Sequence, residues 1–278
     1  MQTTSQIGQT TIIQNNLEQF ERNKYFYGKL LDAYHFELET NYHNAKRYLI
    51  NRAILGYGVV CGLDVIPVKG QPHSIAVTPG FAIDKWGREL IVPGGTPLRP
   101  LQIPPEVIAK AKEMHEKDHY PEPHGTYHEP PHHGKDKICI QVMICYRECE
   151  TDPVPVLAGD CHSADPCAPG TIRESYQIKF THWCEHPDND QCRIPHIASD
   201  GKIDYQALVK WVTRERDCLA LPKDPCIRLA HLHLSHEEAH ECDHDDIDIT
   251  VRPIVYANDL LFDILLGWQT PGYGRRDK

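Results

Sequence analysis

Four of this chain's eleven cysteines crowd into one short stretch. The segment CYRECETDPVPVLAGDCHSADPC places Cys145, Cys149, Cys161 and Cys167 within 23 residues. Thiolates are soft ligands, and four of them can close a tetrahedral zinc shell. The stretch reads as a Pro- and Gly-rich loop leaving a strand. Such a loop has little apolar content to fix it, so a structural metal would supply folding energy. The spacing C-x3-C-x11-C-x5-C is not that of a standard knuckle pair. Zinc is the first reading, buried free thiols the second and disulfides the third, with His162 able to replace one sulfur.

The other thiols form looser groups. Cys184 and Cys192 bracket CEHPDNDQC, with His182 and His186 close by, and Cys218 and Cys226 bracket a second loop of the same size. Either pair can close its loop or share a second metal; unlinked loop thiols come first for both. Cys139 and Cys145 have one parity on one strand, so they face the same way about 20 Å apart and cannot share a metal. Cys61 lies in an apolar run and reads as core.

The richest histidine segment is SHEEAHECDHDD. It sets His236 and His240 four apart, with Glu237 after the first, as a zinc hydrolase would. That chemistry needs the motif on a helix lining a cleft. Here it falls between two predicted strands, at a hairpin tip, where a solvated loop is the first reading and adventitious metal binding the second. A metal-dependent hydrolase using the His236–His244 loop is therefore the rival function. The chain has no GxSxG, GxxxxGK[ST] or GxGxxG signature.

Several function classes drop out on composition. The chain has 278 residues, 40% hydrophobic and 24% charged, enough to bury a core. A formal charge of −10 and no basic cluster exclude a nucleic-acid surface. The N-terminus lacks the basic start and apolar run of a secretory signal. No stretch approaches the ~18 apolar residues of a membrane span. The expectation is a protein kept in a reducing cytoplasm.

The elements that must position these groups follow from periodicity. Residues 1–20 read as a flexible arm. From about Tyr34 to Leu55 the apolar stripe Leu38, Tyr42, Ala45, Leu49, Ala53 predicts one long helix, stopped by Gly56. Strands follow at Val59–Val65 and Ser74–Thr78. Phe81–Asp84 and Arg88–Val92 flank the turn Lys85-Trp86-Gly87. Together 21–100 form a helix-plus-hairpin docking module. Residues 101–136 hold a short helix, Pro104–Lys117, and a His- and Pro-rich insertion. A Cys-rich β domain fills 137–278. Its parts are the ICIQVMICY strand, a strand at Arg173–Trp183 and a helix at Tyr205–Arg216. Then come paired strands at Cys226–Leu234 and Ile247–Tyr256, and a closing helix at Asn258–Leu266. In Cys226–Leu234, Ile227, Leu229, His231 and His233 alternate against Arg228, Ala230, Leu232 and Leu234. The fold class is α+β, mainly β.

One continuous stretch is specific enough to suggest a family. It carries Tyr25-Phe26-Tyr27-Gly28-Lys29-Leu30-Leu31, Phe36, Glu39, Tyr42, Lys46-Arg47, Asn51-Arg52 and Gly56. It continues through Gly58-Val59-Val60-Cys61-Gly62-Leu63, Val65, Pro79-Gly80, Ala82-Ile83-Asp84 and Gly87-Arg88-Glu89. YRECETDPVPVL, RESY, LAHLHL and VRPIVYANDLLFDILLG fit the same pattern. The chain resembles baseplate-associated structural proteins of phage-tail-like contractile injection systems. The resemblance implies a non-enzymatic component in several symmetry-related copies. Baseplate, sheath or spike proteins would be its partners, in a particle assembled in the cytoplasm. Tyr34, Tyr42 and Tyr48 on the long helix offer it aromatic contact surface, against the alternative that they pack on the β-module beneath. A surface- or glycan-binding module at the particle tip is a further rival.

Overall fold

The computed structural model describes residues 19–95, 97–116, 137–156, 167–184, 198–199, 202–216, 221–235 and 241–269. In chain order the elements are α1 (Ala33–Ile50), continued by one π-helical turn (Asn51–Leu55), then β1 (Gly58–Gly62), β2 (Val65–Pro67), β3 (Ser74–Val77), β4 (Gly80–Ile83) and β5 (Glu89–Val92). Next come β6 (Leu101–Gln102), α2 (Pro105–Glu116), β7 (Lys137–Pro155) and β8 (Cys167–Thr181). After these follow β9 (Ala198–Ser199), β10 (Lys202–Ile203), α3 (Tyr205–Lys210), β11 (Ile227–Ser235), β12 (Ile247–Asp248) and α4 (Asn258–Gln269). The fold is α+β and mainly β, with helices towards both ends and antiparallel sheets between.

Two units divide the chain: Met1–His43 with Asn189–Pro222, and Asn44–Asp188 with Lys223–Lys278. In the first, Asp32 opens α1 by accepting the His35 backbone N–H at 3.2 Å, a local N-cap. Tyr25 Oη donates to Glu39 at 3.1 Å and ties the preceding arm to the helix. Asp204 caps α3 in the same way, accepting from Gln206 and Ala207.

The second unit holds three sheets, ordered β1-β4-β5, β2-β3-β6 and β12-β11-β7-β8. One apolar core joins them, including Val59, Leu63 and Ile75 from the small sheets and Leu90 from the hairpin. Ala111 of α2 joins it, as do Ile138, Ile140, Val142 and Ile144 of β7 and Leu232 and Leu234 of β11. The strand expected over Val59–Val65 breaks in two. Leu63 adopts φ +56°, and its side chain turns fully into the core. The chain therefore leaves one sheet at Gly62 and enters another at Val65.

Three further expectations are corrected. The described part of the Pro-rich stretch after Cys145 is strand rather than loop: β7 runs on to Pro155 and pairs in register with β8 from Cys167, while 157–166 lie outside the described residues. Only Ile247 and Asp248 of the predicted Ile247–Tyr256 strand pair with β11. Cys61 is exposed on β1 rather than in the core.

Candidate functional site

The motif residues of the second unit converge at the joint between the end of α1 and the β4–β5 hairpin. At the hairpin turn Gly87 has φ +91°, and a Cβ there would stand 2.1 Å from the Tyr48 carbonyl oxygen. The turn thus lies directly on the helix backbone. Asn51 Nδ2 donates to the Gly87 carbonyl at 2.8 Å and to Glu89 Oε1 at 2.9 Å. Arg47 Nε reaches the same Glu89 oxygen at 3.0 Å.

Asp84 organises the turn from inside. It is 0% exposed. Oδ1 accepts the backbone N–H groups of Trp86 and Arg88, each at 2.9 Å. Oδ2 accepts Arg88 Nε and Nη2, both at 2.7 Å. The Arg88 guanidinium lies 4.6 Å from the Trp86 ring centre and 4.5 Å from that of Tyr146. A buried pair in which both guanidinium nitrogens converge on one carboxylate oxygen, beside two aromatic rings, fixes geometry rather than moving protons. The resemblance motif is here an architectural one.

A second constellation lies on the four-stranded sheet. Cys139 is opposite His233, and Gln141 is opposite His231. Residues directly opposite in an antiparallel ladder project to one side. A register shift between Arg228 and Ala230 sends Ala230, Leu232 and Leu234 into the core with Ile227. His231 and His233 therefore share the other face with Arg228. This corrects the expected alternation, which grouped Ile227 and Leu229 with the histidines; the bulge resets the phase. Cys184 comes back over this face and is disulfide-paired with Cys139, Cα–Cα 6.0 Å. The sulfurs of Cys139 and Cys184 and a ring nitrogen of His231 all lie within 4.8 Å of one another. His231 is 1% exposed, and its Nε2 lies 3.2 Å from Gln141 Oε1. Asp248 pairs with His231 from β12. Burial opposes ionisation of the Asp248 carboxyl. The Thr250 hydroxyl and amide, and the charge of His231 and His233, outweigh that and hold it below the usual carboxylate range.

The first-choice metal set is not drawn together by the described residues. Cys145 is disulfide-paired with Cys226, Cα–Cα 4.5 Å, in a small buried cluster with Met143. Cys149 lies opposite Arg173, and Cys167 opposite Pro155, six positions further along the ladder. Six strand residues span about 20 Å, too far for one metal shell. Cys161, Cys192, Cys218, His162, His186, His236, Glu237 and His240 lie outside the described residues. Cys242 is buried; burial first, and then the Asp246 carboxylate, push its thiol up to about 11. A thiol so rarely ionised is a poor nucleophile. Native alkylation under reducing conditions is expected to label exposed Cys61 and Cys167 well before Cys242, read by peptide mass spectrometry.

Two apolar surfaces stand open, one in each unit. In the first, the turn YFYGKLL exposes Tyr25, Phe26, Tyr27 and Leu30, and Tyr34 is also exposed. Tyr42 of this unit is half-buried, as is Tyr48 in the second. In the second, every side chain of α4 from Asn258 to Leu266 is exposed, Phe262 at 60%. At 100° per residue its six large apolar side chains sweep about 240° of the helix, against a stripe of roughly 100° on an ordinary surface helix. From sequence α4 is expected to be a closing helix, yet its apolar side chains stand exposed. Its even spread of Leu, Phe and Ile was the signal that one buried face would not satisfy it. No described helix is long and apolar enough to cross a membrane.

No family model matches this chain, and no curated protein does. Among solved structures it is similar to one titled "Crystal structure of TssK". That likeness has 12% identity and a TM-score of 0.38, over 92% of this chain and 51% of the other. The chain spans about half the length of that neighbour. A likeness so loose carries neither fold nor function across.

Proposed function

We propose that this protein is a structural component of a phage-tail-like contractile injection particle, seated at or around the baseplate, where it holds neighbouring subunits through protein–protein contacts. The observation that carries the docking role is α4. Leu260, Leu261, Phe262, Ile264, Leu265 and Leu266 are all exposed on a helix whose apolar run is broken only by Asp263. An apolar arc that wide is satisfied when a partner wraps it, as in helix-in-groove recognition. The assignment to an injection particle rests on the resemblance of Arg22–Pro93. Within that stretch Asn51, Asp84, Gly87, Arg88 and Glu89 serve the stability of a docking module, which agrees with a structural role.

Contractile particles purified from the source cells are expected to contain this chain at fixed stoichiometry. The double variant Leu261→Glu/Leu265→Glu is expected to keep the circular dichroism of the parent and to vanish from the particle fraction. Particles that assemble without the chain, or that retain the variant at full stoichiometry, would defeat this reading.

A further inference from the structure

We propose that Cys139, Cys184 and His231 bind a zinc ion that staples the segment after β8 to the polar face of the β7–β11 pair. This site is distinct from the four-cysteine segment, and it does not depend on the particle assignment. Two thiolates and an imidazole form a soft-to-borderline donor set, which selects zinc over magnesium or calcium.

Tetrahedral zinc with sulfur and nitrogen ligands sets its donor atoms about 3.5–3.8 Å apart. The three donors here lie within 4.8 Å of one another, with the two sulfurs joined as a disulfide; a thiol reductant that cleaves this bond by two-electron exchange frees both as thiolates for the metal. Two of the three donors sit on paired strands, and Cys184 follows the end of β8. Cys139 and His231 sit on adjacent strands of the central ladder, anchored from the opposite face by Ile138, Ile140 and Leu232 in the core. His231 is almost wholly buried, so its ring is held in one place. Gln141 Oε1 stands at Nε2 as an outer partner, the arrangement that commonly orients a ligating imidazole. The disulfide between the same two sulfurs is the oxidised state of this site, in which His231 has no ligand role; zinc binding belongs to the reduced state.

The test uses the full chain, purified with reductant present throughout. Elemental analysis is expected to find zinc bound through these residues. Cobalt substitution is expected to give thiolate-to-metal charge-transfer absorption of an intensity set by two sulfurs. Cys139→Ser and Cys184→Ser are expected to abolish it, His231→Ala to weaken zinc at least tenfold, and Gln141→Ala to weaken it by about 10–100-fold. A second measurement needs no variant: alkylation mapped by mass spectrometry. Zinc is expected to protect Cys139 and Cys184, and a chelator to expose them, while Cys61 labels equally in both states. The proposal is overturned by three results: no zinc in the fully reduced protein, zinc and cobalt signals that survive both serine variants, or a metal-free chain in which Cys139 and Cys184 are recovered as a disulfide from a reducing preparation.

Discussion

Replacing Gly87 with alanine is expected to destabilise the second unit by at least about 3 kcal/mol, among the largest effects a single methyl group can have. Two penalties act together. At φ +91° an L side chain is strained, which costs on the order of 1–2 kcal/mol. The new Cβ would also meet the Tyr48 carbonyl oxygen at 2.1 Å and its carbon at 2.9 Å. Those are backbone atoms inside a helix and cannot rotate away. The hairpin must lift off α1, and the Asn51 bonds to Gly87 and Glu89 go with it. Gly70 supplies the control: it has φ +73° but open space where a Cβ would go. Gly70→Ala should carry the strain alone, about 1–2 kcal/mol. Denaturant midpoints at unchanged slope measure both. Equal losses for the two variants would show that the helix contact contributes nothing.

The second large effect belongs to Asp84. Asp84→Ala is expected to cost about 3–5 kcal/mol, because it strands the Arg88 guanidinium with no counter-charge. Arg88 has a side chain only 17% exposed, enclosed by Trp86 and Tyr146. The turn also loses the acceptor for two backbone N–H groups. Removing both charges is a different matter. Asp84→Ala/Arg88→Met should recover a large part of the loss, since methionine fills the slot without needing a partner. A double-mutant cycle over Asp84→Ala, Arg88→Met and the pair should therefore give a coupling of at least about 1.5 kcal/mol. Additive single losses would mean that the pair is only a bystander to the turn.

The parts of the fold legible in the sequence are those with a regular apolar period or clear turn chemistry, even where, as in α1, the stripe is only half-buried. The stripe from Leu38 to Ala53 gave α1, and Gly56 closes it through its N–H to the Asn51 carbonyl at 2.9 Å. The β4–β5 hairpin was legible because Lys85-Trp86-Gly87 is turn chemistry between two apolar runs. The β7–β8 ribbon was not. Beyond Tyr146 it lies largely exposed, so RECETDPVP needs no apolar alternation. Its prolines, Pro153 and Pro155, sit where, among the described residues, β8 is the only neighbouring strand. As a loop the segment would let Cys149 and Cys167 approach each other; as a ladder it holds them six positions apart. The grouping of Cys139, Cys184 and His231 was hidden for a different reason. It needs strand pairing across some ninety residues, and the bulge beside Leu229 turns the histidines to the opposite side from Ile227. A period-2 reading of β11 carries no mark of that reset.

The link between Val59 and the segment before α4 bears on how the molecule is made. Val59 N–H donates to the Pro253 carbonyl at 2.8 Å, and the Val255 N–H donates to the Val59 carbonyl at 2.9 Å. The first strand is thus completed by residues that leave the ribosome close to two hundred positions later. Contacts of such high order form late, because loop-closure entropy opposes them until the intervening elements have folded. Nascent chains that stop before Pro253 would hold the hairpin against α1 and yet lack both of these bonds. Synthesis of the last segment therefore times the maturation of the first, and the same segment carries α4 into the open. Completion of the fold and presentation of the docking helix become a single event.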